Sequence, residues 1–203
     1  MAVDAAVALV SLVQAKAQLK ITASSEDSFI ESLVNRESQK AASYCGRTFV
    51  QESFTEFYDG EGEDTIVVRN YPIASLTSLH DDVRRDFNSD TQISISDDVL
   101  VDNRAGIVRL WNNRSAFNKG KGNVRIAYTG GYVAGSNVPH DLQEAVLIMI
   151  LHAYRRLYAD QRIGLVSETI GDRNVTYSRS DIPAEAKVIL DQYRYYGTAN
   201  HGH

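Results

Sequence analysis

Val124-Arg125-Ile126-Ala127-Tyr128-Thr129-Gly130-Gly131-Tyr132 is the stretch on which the reading of this chain turns. Val124, Ile126 and Tyr128 alternate with Arg125 and Ala127, the period-two pattern of a strand with one face in a core. Upstream, as far as Thr48, helical periodicity is absent and short β-rich runs alternate with Gly, Asn and Asp. Strands are predicted over Thr48–Tyr58, Thr65–Arg69, Ala74–His80, Thr91–Ile95, Gly106–Trp111 and Asn123–Tyr128. Many short strands joined by turns predict an antiparallel sandwich or small barrel.

On both sides the period becomes helical. Ser11-Leu12-Val13-Gln14 has the capping-box spacing, which satisfies free amides at a helix start; that helix is predicted to run to Leu19. A second follows Ser24-Ser25, with Glu26 and Asp27 in its first turn, where carboxylates suit the helix dipole. Phe29, Ile30, Leu33, Val34, Ala41 and Tyr44 give it one apolar face, and Gly46 is placed to end it. Downstream, Val138-Pro139 opens a helix faced by Leu142, Ala145, Val146, Met149, Ala153 and Leu157. A polar stretch with β character, Ile163–Ser180, precedes a last helix near Pro183, faced by Ala186, Ile189, Leu190 and Tyr193. Thr198–His203 reads as a disordered tail. The expected class is α+β: a four-helix core, 1–47 and 133–203, interrupted by an inserted antiparallel β domain, 48–132.

Composition narrows the function classes. A chain of 203 residues is long enough to bury roughly 70% of its unfolded surface without staples. Its 21 Lys and Arg against 26 Asp and Glu give a net charge of −5, which argues against a broad basic surface that grips nucleic acid. A single cysteine, Cys45, excludes a disulfide framework and a Cys-rich metal site. Met1 to Val10 does not read as a signal peptide, and the apolar run Ala145 to Leu151 is too short to span a bilayer. Tyrosine outnumbers phenylalanine by 11 to 6; such amphipathic rings favour positions with one wet side.

The residues that carry chemistry elsewhere are thinly spread here. Cys45 at a helix C-terminus reads as structural, because the dipole there raises a thiol pKa. His152 on an apolar stripe reads as a core or interface histidine. His80-Asp81-Asp82 reads as a solvated turn, since neighbours at a strand end point in different directions. His201 and His203 lie in the tail. Gly120-Lys121-Gly122 and Gly130-Gly131 lack phosphate-loop spacing and read as turns. No catalytic residue, metal ligand or cofactor site is nominated.

Several stretches, in order, resemble the head–tail connector, or adaptor, proteins of tailed bacteriophages. They are Ser11 to Ile21, with its Leu-basic-Ile ending; Glu26-Asp27 and the helix ending Tyr44-Cys45-Gly46-Arg47-Thr48-Phe49; and Asn70-Tyr71-Pro72-Ile73-Ala74-Ser75-Leu76. They continue with Val124 to Tyr132 followed by Val138-Pro139, and with Ser167-Glu168-Thr169-Ile170-Gly171-Asp172, Tyr177, Pro183 and Tyr193-Arg194. The resemblance spans residues 11–196. It implies a structural role without turnover: a homo-oligomeric ring of about a dozen subunits that docks on the portal protein, extends the DNA channel and carries the next neck or tail component. It also implies a place in the virion neck after assembly in the bacterial cytoplasm, with no membrane partner and no cofactor. A stopper or tail-completion component, and a carboxylate-dependent enzyme in the β domain, are the alternatives.

Charge and tyrosine placement nominate surfaces for such a ring. Residues 50–110 hold 13 acidic and 5 basic side chains, and residues 111–160 hold 3 acidic and 6 basic. Asp81 and Asp82 are therefore candidate partners, across a subunit interface, for Arg155 and Arg156. Portal docking is expected in the polar stretch through Leu165, Val166, Ile170, Val175 and Tyr177, by strand addition. Tyr193, Arg194, Tyr195 and Tyr196 would continue it. Duplex DNA should pass without tight binding, since cations lining the channel would brake it and acidic residues there would repel it.

Overall fold

Ser11 starts the first helix as its spacing predicts: its hydroxyl accepts the Gln14 amide at 3.2 Å while the Gln14 side chain accepts the Ser11 amide at 2.8 Å. The computed structural model describes residues 2–160, 167–170, 173–176 and 182–196. In chain order the elements are α1 (Leu12–Leu19), α2 (Asp27–Cys45), β1 (Glu52–Gly60), β2 (Thr65–Val67), β3 (Ile73–Asp81), α3 (Ile95–Asp98), β4 (Val99–Asp102), β5 (Ile107–Leu110), β6 (Gly120–Gly130), α4 (His140–Asp160), β7 (Ser167–Ile170), β8 (Arg173–Thr176) and α5 (Ala184–Asp191). They divide into two compact units, one of residues up to Gly46 with Ala134–Arg194, the other of Arg47–Val133 with Tyr195 and Tyr196.

In the first unit α4 packs against α1, α2 and α5. The buried stripe of α2 is Ile30, Leu33, Val34, Glu37, Ser38, Ala41 and Cys45. Phe29 and Tyr44, expected within it, lie one position off that stripe and sit at its margins. On α4, Leu142, Ala145, Val146, Met149 and Ile150 are buried, whereas Ala153 and Leu157 are not. Tyrosine hydroxyls tie the helices at their wet edges. Tyr44 donates to Asp191 at 2.7 Å, Tyr154 to Glu26 at 2.8 Å and Tyr193 to Asp141 at 2.7 Å. Lys16 pairs with Asp27 at 2.5 Å, joining α1 to the first turn of α2. Gly46 closes α2 with φ +67°, a left-handed cap that costs glycine little. Beside it the Cys45 thiol is buried and donates to the Leu190 carbonyl at 3.4 Å.

The second unit holds two antiparallel three-stranded sheets, ordered β1-β6-β3 and β2-β5-β4. The opening stretch lies in the central strand of the first. Tyr128 stands opposite Phe54 on β1, and Ile126 opposite Leu79 on β3. Val124, Ile126, Tyr128, Ile73 and Leu79 share one core with Ile66, Val99, Val108 and Leu110 of the other sheet. Burying each such side chain stabilises the unit by about 1.5–3 kcal/mol.

Two expectations change in this unit. Thr91–Ile95 is not a strand. Ser89–Thr91 is a single tight helical turn capped by Asn88, Gln92 makes an isolated bridge to His80, and Ile93 plugs the core. The strand lies further on, at β4, where Asp97, Asp98 and Asp102 hide its alternation. Gly120-Lys121-Gly122 opens β6 rather than forming a turn, and the register with β1 breaks there, between Tyr58 and Gly60. Gly131 is required where it stands: φ is +100°, and an added Cβ would meet the Phe49 and Val50 carbonyl oxygens at 2.8 Å.

β7 and β8 form a two-stranded antiparallel sheet, with Ser167 opposite Thr176 and Ile170 opposite Arg173. Thr198–His203 lies outside the described residues. Among the described residues no helix is long and apolar enough to cross a membrane.

Candidate functional site

The residues nominated for portal docking are placed unevenly. Leu165, Val166 and Tyr177 lie outside the described residues, while Ile170 and Val175 stand on β7 and β8. Tyr193 is tied to Asp141, and the Arg194 guanidinium lies 5.3 Å from the Tyr44 ring centre and 3.8 Å from the Asp191 carboxylate. Tyr195 belongs with the β unit, its ring beneath the Arg69 guanidinium at 5.4 Å, and Tyr196 is exposed. Arg155 and Arg156 are exposed on α4, and His152 is half-buried there.

Asp81 and Asp82 are only 6% exposed each, and His80 is equally buried, so this triplet is neither a solvated turn nor a pair of surface charges. Asp81 accepts the Asn118 amide at 2.8 Å and the Asn123 side chain at 3.1 Å. Asp82 closes the loop after β3, accepting the amides of Arg84 and Asp86 at 2.9 Å and Phe87 at 2.8 Å. Burial pushes the Asp82 carboxyl up, but these backbone N–H groups outweigh it and hold it below the usual carboxylate range. The two neighbouring aspartates thus serve different partners, Asp82 the amides of the loop after β3 and Asp81 the groups of Asn118 and Asn123.

A carboxylate–phenol cluster holds the other end of the sheet. Glu56 accepts from the hydroxyls of Tyr58 and Tyr128, the latter at 2.8 Å, and from the Asn70 side chain at 3.0 Å. The phenol oxygens in turn accept backbone amides: Asn70 on Tyr128 at 3.0 Å and Arg69 on Tyr58 at 3.1 Å. Burial first, then the Glu56 charge, pushes both phenols well above their usual range. Protonated phenols so held are donors, and the cluster uses them to pin Arg69-Asn70 onto the sheet. Among the described residues no group of three or more His, Cys, Asp or Glu is placed to hold a metal ion.

The outer face of β1-β6-β3 carries what the sequence reading missed. The register aligns Phe57, Arg125 and His80 across the three strands. The Arg125 guanidinium covers the Phe87 ring at 4.8 Å and approaches His80 Nε2 at 3.0 Å, and the Phe87 and Phe57 rings stand 5.4 Å apart. Burial and the Arg125 charge hold His80 below its usual pKa, so the ring is neutral and Nε2 accepts. Phe57 remains 55% exposed and nearby Val83 60%. The signal was present in the sequence: on β1 the inward positions are Phe54, Glu56 and Tyr58, and Phe57 is the large apolar residue out of phase.

Compared with known proteins, the chain matches the family model described as "Head completion protein" over residues 8–196. Its fold is similar to a chain in the neck of an empty GTA particle computed with C6 symmetry, with TM-score 0.57 and 15% identity over 96% of this chain and 92% of that one. It is also similar to a chain in the virion of a native gene transfer agent particle, with TM-score 0.56 and 14% identity over 92% and 89%. A third, in the neck of a native GTA particle computed with C12 symmetry, gives 0.55 and 14% over 96% and 92%. At such identities the likeness is one of fold. No curated protein matches the sequence.

Proposed function

We propose that this chain, which belongs to the head completion protein family, is a structural component of a virion neck that assembles there as a ring. The observation that carries the reading is agreement over the whole chain: the family model spans both units, and so does the likeness to chains from necks computed with C6 and C12 symmetry. The ring docks on the portal, continues the DNA channel and presents a platform to the next component. Its work is positional, and no covalent step is assigned to it.

Physical arguments support the finer parts. A ring is built from head-to-tail contacts, so each subunit carries two different patches that fit each other. The helical unit offers exposed apolar side chains for a protein partner, Val13 on α1 and Val188 on α5 among them. The channel must let DNA slide, and each phosphate neutralised by Lys or Arg adds salt-dependent affinity that brakes it. A chain of net charge −5 suits sliding.

The test is native mass and negative-stain imaging with and without portal. A ring stacked on the portal is the expected result; a chain that stays monomeric in the presence of portal refutes the proposal. Duplex DNA should bind weakly at physiological salt, and a tight, salt-sensitive complex would remove the sliding argument.

A further inference from the structure

We infer that two open sheet edges of this chain meet between copies, the outer edge of β1 in one subunit pairing with β8 of the next. The inference rests on the ring reading above and assigns one of the contacts that a ring needs.

Exposed strand edges are templates for pairing, and proteins usually blunt them with short length, bulges, lysine, proline or inward charge. Three of the four edges in the β unit are blunted in these ways. β2 has three residues and β4 has four. β3 is broken by register shifts at Ile73/Ser75 and Leu76/Ser78, and Gln92 bridges its far end at His80. β1 differs. It runs nine residues, Glu-Ser-Phe-Thr-Glu-Phe-Tyr-Asp-Gly, with no lysine or proline; its charges are acids alone, which turn away acidic edges and not basic ones, and its one irregularity lies at the end of the ladder. Glu56 points inward, but its carboxylate is already held by Tyr58, Tyr128 and Asn70. Among the described residues β6 is the only strand paired with β1.

The β7–β8 sheet has the complementary need. A two-stranded hairpin is marginal in water and gains independent stability from a third strand; among the described residues it has none. Charge selects the edge. β1 carries Glu52, Glu56 and Asp59 and no base. β7 carries Glu168, and β8 carries Arg173 and no acid. Like charges opposed across a ladder are destabilising and opposite charges are favourable, so β8 is the edge that β1 accepts. Pairing β1 with β1 would oppose acids to acids and close a two-fold dimer, whereas β1 with β8 joins unlike surfaces head to tail. Phe57, exposed on β1 beside Phe87, gives the added strand an apolar anchor, so main-chain bonds and a side-chain contact act together.

Disulfide trapping between separately made full-length chains tests this. Thr55→Cys is mixed with Asn174→Cys or with Val175→Cys; successive strand residues face opposite ways, so the two cover both faces of β8. One mixture should give a mixed dimer in several-fold excess over either variant alone, and Arg173→Glu should reduce that yield several-fold. In the unmodified chain, amide exchange at residues 52–59 and 173–176 should slow on assembly. Rings that form with no mixed disulfide and unchanged exchange at both strands overturn the inference and leave the ring reading standing. Mixed dimers without rings, with portal present, keep the edge contact and refute the ring. A chain that shows no self-association by either measure, again with portal present, overturns both.

Discussion

Removing one oxygen atom, by Tyr128→Phe, is expected to destabilise the β unit more than any surface change. Tyr128 is 1% exposed, and its hydroxyl makes two contacts: it donates to Glu56 at 2.8 Å and accepts the Asn70 amide at 3.0 Å. Phenylalanine keeps the ring against Phe54, 5.5 Å away, so no cavity opens and the cost is polar. An amide left buried without a partner costs about 1–3 kcal/mol, and a hydrogen bond to a charged group is worth about 1.5–3 kcal/mol. Glu56 keeps the Tyr58 hydroxyl, so the lower part of the summed range applies, about 2–4 kcal/mol. Urea unfolding followed by Trp111, the single tryptophan, reads this unit directly. With a urea slope of about 1–3 kcal/mol per molar, the midpoint falls by roughly 1–2 M at unchanged slope. Tyr58→Phe should cost less, about 1 kcal/mol, since the amide it strands on Arg69 is exposed. A Tyr128→Phe midpoint that moves by less than the equivalent of about 0.5 kcal/mol would show that water satisfies these groups and would refute the reasoning.

Other outcomes follow from the same geometry. Gly131→Ala should destabilise by about 2 kcal/mol or more, since strained φ alone costs about 1–3 kcal/mol and the Phe49 and Val50 carbonyls leave no room; a melting temperature equal to that of the parent chain would contradict this. Ser11→Ala removes the hydroxyl that accepts the Gln14 amide, one half of the capping box, and should cost about 1 kcal/mol, read as a lower melting midpoint. The Asp82 carboxyl lies below its ordinary value. Its contribution is therefore complete above the usual pKa of about 3.9 and fades as pH falls through the lower folded value. Asp82→Asn should remove that part of the acid dependence, measured as stability against pH. His80 is likewise held low, so its neutral ring contributes fully above the ordinary value of about 6.5 and loses that contribution on acidification. An acid limb below about pH 6.5 that persists unchanged in His80→Gln would show another group to be responsible.

Much of the fold was legible because periodicity and capping are local. Ser11 and Gln14, Gly46, the alternation of Val124, Ile126 and Tyr128, and the apolar stripe from Leu142 to Met149 each report their own surroundings. What escaped depends on partners distant in the chain. Asp81 and Asp82 look like surface charges until Asn118, Asn123 and the amides of the following loop arrive to accept them into the interior. β4 was hidden because Asp97, Asp98 and Asp102 outweigh its three apolar residues, Val99, Leu100 and Val101. The tyrosine excess suggested contact surfaces, yet Tyr44, Tyr154 and Tyr193 join helices within one chain, and Tyr58 and Tyr128 buttress a loop. A composition cannot distinguish a ring edge that faces a partner from one that faces its own chain.

The helical unit is made from two stretches of the chain, residues up to Gly46 and Ala134–Arg194, with Arg47–Val133 of the β unit between them in sequence. On a ribosome, α1 and α2 emerge early but find α4 and α5 only after everything between has been made. Holding the ends of a flexible intervening segment of roughly 90 residues together costs about 4 kcal/mol in closure entropy. A β unit that has already folded replaces that slack with a fixed body and lowers the toll. The helical unit therefore matures last, and a truncated product ending before α4 has no finished helical unit. Nesting one unit within the other in sequence thus ties completion of the helical unit to near-completion of synthesis.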